Sequence, residues 1–97
     1  MRYEFHPEAL EEFEDAANYY ASKEAGLEVR FVAGVESSIR QICEAPTRWR
    51  IFEQDIRRSL VRTFPYGVLY SIEADYVLII AVTHCSREPG YWKHRRD

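Results

Sequence analysis

Cysteine is scarce in this chain, and where it is scarce some chemistry is excluded. Cys43 and Cys85 are the only two among 97 residues, and they form no Cys-x-x-Cys pair. Two thiols are too few for a disulfide framework. His6, Cys43, His84, Cys85 and His94 show no paired ligand spacing, so no metal centre is expected. There is no Gly-rich phosphate loop, no G-x-S-x-G and no pair of acids set for hydrolysis. The opening "MRYEFHPEAL" lacks the apolar stretch of a secretory leader. No apolar run approaches the roughly 20 residues that span a bilayer. The expectation is a cytoplasmic protein with reduced thiols, no cofactor and no membrane partner. Lysine is scarce too, with Lys23 and Lys93 alone against eleven arginines.

What is present is a globular composition, 46% hydrophobic and 30% charged, of a size that suits one domain over residues 1–97. The charge is unevenly spread. Residues 1–45 hold ten acids and four bases, whereas residues 46–97 hold nine bases and six acids. Eight of those nine bases are arginine, the side chain suited to bidentate phosphate contacts and to stacking. An arginine-rich half in a small domain points to a polyanionic partner.

Periodicity gives the element order. "MRYEFH" alternates as a short strand. Pro7 suits the first turn of a helix over 7–22, whose apolar face is Leu10, Phe13, Ala17 and Tyr20 and whose acids read as a solvated face. Gly26 provides a left-handed turn. Leu27, Phe31, Val35, Ile39 and Ile42 mark a second helix, which Pro46 ends. Residues 47–55 read as a basic, aromatic loop. "IRRSLVRTF" alternates as a strand, with Arg58, Leu60, Arg62 and Phe64 on one face and Arg57 on the other. "VLYSI" and "YVLIIAVTH" follow as a hairpin. The fold class expected is α+β, in the order β-αα-βββ, with a helical hairpin on a mainly antiparallel four-stranded sheet.

Three arginines within six residues of one strand are costly unless solvated or paired. They are either an exposed strand or a sheet face that holds phosphates. His84 follows the apolar strand in phase with Leu78, Ile80 and Val82. It is either a histidine satisfied at a strand end or a general acid or base. Cys85 points to the opposite face from His84, which argues against a thiol nucleophile. Tyr91 can donate a proton or stack on a base, and Trp92 reads as a pin holding the tail to the core. The last residues, 93–97, read as a solvated basic end. A metal-free site rich in arginine suits RNA cleavage, in which the 2′-hydroxyl attacks its own phosphate.

"FHPEALEEFEDAANYY", "RRSLVRTFPYGVLYSI" and "AVTHCSREPGYWKHR" together resemble the RelE/ParE superfamily, toxins of bacterial type II toxin–antitoxin modules often described as plasmid stabilization proteins. The resemblance covers nearly the whole chain. It implies a helical hairpin against a twisted antiparallel sheet, and a small antitoxin that wraps the toxin in a hetero-oligomer. It also implies one of two activities. RelE-like members cut mRNA on the ribosome. On that reading Arg58, Arg62, His84, Arg87 and Tyr91 are the candidate catalytic residues, and Arg48, Arg50 and Arg57 are candidate nucleic-acid contacts. ParE-like members inhibit DNA gyrase without catalysis. The chain departs from the RelE pattern in having no lysine pair on its middle strands, which leaves His84 as the first candidate base. The primary expectation is a ribosome-dependent mRNA interferase, and the alternative is a gyrase inhibitor.

Overall fold

A computed structural model of the chain describes residues 1–96. The element order is β1 (Arg2–Phe5), α1 (Pro7–Lys23), α2 (Leu27–Glu44), β2 (Ile51–Glu53), β3 (Ile56–Leu60), β4 (Tyr66–Ile72), β5 (Tyr76–His84) and a closing 3-10 turn, Lys93–Arg96. The sheet has five strands in the order β1-β5-β4-β3-β2, one more than expected. The extra strand, β2, lies in the stretch read as a loop. Three residues are too few to show alternation, and β2 forms only because Ile51 pairs with Arg57 and Glu53 with Ile56. The sheet is also mixed. β1 runs parallel to β5, with Arg2 opposite Tyr76 and Phe5 opposite Ile79.

Both helices follow the chemistry of their ends. Pro7 opens α1, and the His6 side chain caps it, its Nδ1 accepting from the Glu8 N–H at 3.0 Å. Gly26 takes φ +87°, where a side chain would strain the backbone, and α2 starts at the next residue. On α2 the buried residues include Phe31, Val35, Ile39 and Ile42 of the predicted stripe. On α1 the stripe is rotated. Ala9 and Ala16 are buried, whereas Leu10 is 41% exposed. Two small residues let α1 lie close over β5.

The hairpin packs on one face of the sheet, with Val61, Val68, Tyr70, Val77, Ile79 and Val82 in the core. A second, smaller core lies on the opposite face. There Trp92, 1% exposed, packs with Ile56, Leu69, Ile80 and Ala81, so the tail is a lid over an apolar sheet face. Strand β5 serves both cores because it carries a bulge. Leu69 pairs with Ala81 and Tyr70 with Ile79, which leaves Ile80 as the extra residue. The bulge breaks the single phase expected for Leu78, Ile80, Val82 and His84. Leu78, Ile80 and Ala81 face the tail, whereas Val82 faces the helices.

The expected strand through Phe64 is also shorter. β3 ends at Leu60, and the Val61 N–H donates to the Tyr66 carbonyl at 2.8 Å to close a turn in which Thr63 takes φ 65°. Arg62 is therefore an exposed turn residue, not a member of a strand face. Among the described residues no helix is long and apolar enough to cross a membrane.

Candidate functional site

Strand pairing sets Arg58 opposite Leu69, on the sheet face away from the helices. Its stem then lies across Gly67, where an added Cβ would come 3.2 Å from both Cγ and Cδ of Arg58. Glycine there lets the side chain run flat along the sheet. It reaches a cleft of about 210 Å³ whose lining includes Phe52, Leu69, His84, Arg87, Tyr91 and Trp92. Four of the five candidate catalytic residues (Arg58, His84, Arg87 and Tyr91) thus meet at one cleft. Arg62 does not.

The two guanidiniums are held by rings. Arg58 lies over Phe52 at 4.4 Å from the ring centre, and Arg87 over Tyr91 at 3.9 Å. Among the described residues neither has a carboxylate within ion-pair distance. Both are fixed in direction and still have their N–H groups to offer.

His84 is engaged. Its Nδ1 accepts from the Ser86 N–H at 3.0 Å and lies 2.7 Å from Ser86 Oγ. A ring that accepts at Nδ1 carries its proton, when neutral, on Nε2, so the other nitrogen is a donor. Its ring meets Tyr66 edge to face at 5.3 Å.

Tyr91 is engaged as well. Its hydroxyl donates to Glu12 Oε2 on α1. Burial, reinforced by that donation, pushes the hydroxyl up to about 12. Glu12 is the centre of a cluster that sequence reasoning passed over as a solvated acid. Its Oε1 accepts from Arg95 Nη1 at 2.8 Å and from the Val82 N–H at 3.1 Å, and its Oε2 accepts from Arg95 Nη2 at 3.1 Å. Arg95 Nη1 also donates to the Ile80 carbonyl at 3.0 Å. The reason lies in the sheet. β1 stops at Phe5, beside Ile79, so the edge of β5 beyond it has no strand partner. Glu12 and Arg95 supply the missing acceptor and donor. The Arg95 side chain is only 7% exposed. Burial acts against its charge, but the Glu12 hydrogen bond and charge hold its pKa above the ordinary value.

Arg95 departs from the expected solvated tail, whereas Lys93, His94 and Arg96 are exposed and make ion pairs at the surface. Arg96 pairs with Asp55 and lies 3.7 Å from Glu73, Lys93 lies 3.4 Å from Glu53, and His94 meets Glu8 at 2.8 Å. Asp97 lies outside the described residues. No signal in the sequence marks the pairing of Glu12 with Arg95, which are 83 positions apart.

The three residues expected to touch nucleic acid separate. Arg57 faces the helices and anchors the preceding loop, Nη1 donating to the carbonyls of Trp49 at 2.5 Å and Thr47 at 3.3 Å. Tyr70 pins the same loop, its hydroxyl donating to the Pro46 carbonyl at 2.6 Å. Arg48 and Arg50 are exposed on that anchored loop. Among the described residues no three histidine, cysteine or acidic side chains converge as a metal ion would require.

The raised Tyr91 pKa has a measurable sign. The folded chain favours the protonated hydroxyl, so this stabilisation is complete below the unfolded value of about 10. It is lost as pH climbs from about 10 to about 12. Urea midpoints should therefore fall across that window, and Tyr91→Phe should fall less steeply than the parent chain. Tyr70, also raised by burial to about 12, contributes slope in both, as do Tyr20, Tyr66 and Cys43, which burial also raises.

The fold is similar to a solved structure described as "Chromosomal ParDE TA system from P. aeruginosa", with a TM-score of 0.75 and 11% sequence identity, covering 87% of this chain and 95% of that one. No curated protein matches the sequence. The family model described as "ParE toxin of type II toxin-antitoxin system, parDE" matches residues 3–89, which include the helical hairpin, all of the sheet but Arg2, and both cleft arginines, and the chain belongs to that family.

Proposed function

We propose that this toxin arrests growth by binding its target, DNA gyrase, and not by cutting RNA, and that a cognate antitoxin silences it. One observation carries the reading. The cleft offers two guanidiniums free of carboxylate partners, but both of its candidate proton carriers are occupied. His84 Nδ1 accepts from Ser86, and the Tyr91 hydroxyl donates to Glu12 with its pKa pushed up to about 12. RNA cleavage requires a group that takes the 2′-hydroxyl proton. Arginine, with a pKa above 12, does not do so, and the two lysines, Lys23 and Lys93, lie outside the cleft lining. Binding needs only the donors. Gyrase enters as the target from the resemblance to ParE-like members.

The mRNA interferase reading, first in order on sequence grounds, keeps one supporting observation. Arg58, His84 and Arg87 line a single cleft, as phosphate stabilisation would require. Two assays on the purified chain separate the readings. Gyrase supercoiling should be lost at rising toxin concentration, while primer extension in a translating extract should reveal no new mRNA 5′ ends. Intact supercoiling with new, ribosome-dependent ends would overturn the proposal in favour of cleavage.

A further inference from the structure

We propose that β1 pairs with β1 of a second copy of this chain, edge to edge and antiparallel, to make a twofold dimer. This goes beyond the reading above and does not depend on gyrase being the target. β1 is the outer strand of the sheet on the side away from β2 and the arginine cleft. The His6 N–H donates to the Ile79 carbonyl at 2.9 Å, so the main-chain groups of Arg2 and Glu4 turn inward to β5. Those of Tyr3 and Phe5 turn outward, and among the described residues they have no hydrogen-bond partner. Beside the strand lies a groove of about 630 Å³ between β1 and α2, whose lining includes Met1, Tyr3, Ile39 and Cys43.

Three observations select a second copy as the partner. The first is charge. A twofold pair centred on Tyr3 exchanges the outward hydrogen bonds of Tyr3 with the partner's Tyr3 and sets Arg2 opposite the partner's Glu4. Moving the centre by one residue either way would set Arg2 against the partner's Arg2 or Glu4 against the partner's Glu4, so charge fixes the register. Arg2 already pairs with Glu4 of its own strand and lies 3.8 Å from Asp75, and both Arg2 and Glu4 remain more than half exposed. In the dimer the four side chains alternate in sign on one face. Edge strands are commonly guarded by charge, but one charge of each sign on a twofold axis is a match and not a guard. The second is apolar exposure. Met1 is 52% and Tyr3 45% exposed, and alternation puts both on the helix side with Phe5, which packs against the main core. The same register sets Phe5 opposite the partner's Met1, so the other face of the joint is apolar throughout. The third is order. The Met1 amine donates to the Cys43 carbonyl at 3.2 Å, which ties the start of β1 to α2 and lowers the cost of holding the edge straight.

The test is sedimentation velocity on the full chain over a concentration series. The joint is small, one short strand and the side chains around it, so dimers should appear as the concentration rises. Arg2→Glu puts an acid opposite Glu4 at both ends of the joint, and Glu4→Arg puts two bases together at both ends. Each should weaken the dimer by about tenfold or more, since twofold symmetry doubles every change. An equimolar mixture of the two variants should associate again, because each cross-strand pair then joins opposite signs. The double variant Arg2→Glu/Glu4→Arg should associate like the parent for the same reason. Melting curves should show every variant folded, as both side chains are exposed. Amide exchange at Tyr3 and Phe5 should slow as the concentration rises, whereas exchange at Glu4, which faces β5, should not. A parent chain that stays monomeric throughout, a dimer indifferent to the single reversals, or reversed variants that fail to associate on mixing would each overturn the proposal.

Discussion

Glu12→Ala is expected to lower the unfolding free energy by about 3 kcal/mol, because it leaves a buried arginine without its counter-charge. For a domain near 100 residues that corresponds to a melting temperature lower by on the order of 15 °C. The size follows from how much one carboxylate does. It accepts two hydrogen bonds from Arg95, one from the Val82 N–H and one from the Tyr91 hydroxyl. Alanine removes all four acceptor contacts and strands three donors in a site that water reaches poorly. The adjacent Glu8, whose Oε2 lies 3.1 Å from Arg95 Nε, is 48% exposed and cannot take over the buried end. Arg95→Met should cost less, since Glu12, though it loses its counter-charge, still accepts from the Val82 N–H and the Tyr91 hydroxyl. The double variant Glu12→Ala/Arg95→Met should lose less than the sum of the two single changes, and that shortfall measures the coupling. Additive losses, or a Glu12→Ala loss below about 1 kcal/mol, would place the pair in the class of solvent-screened surface ion pairs.

Arg58→Ala combined with Arg87→Ala is expected to abolish growth inhibition while leaving the chain folded. Each guanidinium is aimed by an aromatic ring and is free of carboxylates, so each is set to contribute about 1.5–3 kcal/mol through a charged hydrogen bond to a partner. Losing both should weaken target binding by about a hundredfold or more, since the two come from different elements and their effects add. Stability should change little, because the side chains reach a surface cleft and leave no buried charge unpaired. Arg62→Ala is the internal comparison. It lies in the exposed turn after β3, outside the cleft lining, and should keep full toxicity. Plating efficiency under controlled expression reads all three. Toxicity retained by the double variant would remove the cleft from the mechanism.

Where local chemistry decides the structure, it was legible. Pro7 and Gly26 bracket α1 and the turn, and the stripe from Phe31 to Ile42 buries as its spacing requires. The family resemblance, carried by the sequence around Arg58, Tyr70 and His84, agrees with the matched toxin family. What escaped was decided by partners distant along the chain. β2 exists only by pairing with β3. The bulge at Ile80 leaves no mark in an apolar run whose residues all look alike, so Val82 was grouped with Leu78 and Ile80 although it lies on the other face. Glu12 sits among Glu8, Glu11, Glu14 and Asp15, and nothing local separates it from those neighbours. Its difference comes from β1 stopping short. The three arginines Arg57, Arg58 and Arg62 appeared as one set, but one anchors a loop, one enters the cleft and one lies in a turn.

The early end of β1 has a consequence in time. The edge of β5 beyond Ile79 is completed by residue 12 and by residue 95, two side chains from opposite ends of the chain. Synthesis delivers them far apart, and domains complete their folding only when their distant contacts can close. Until Arg95 has been synthesised and has reached Glu12, that edge of β5 lacks its side-chain partners, and the segment that carries Arg87 and Tyr91 is not fastened to α1 through Arg95.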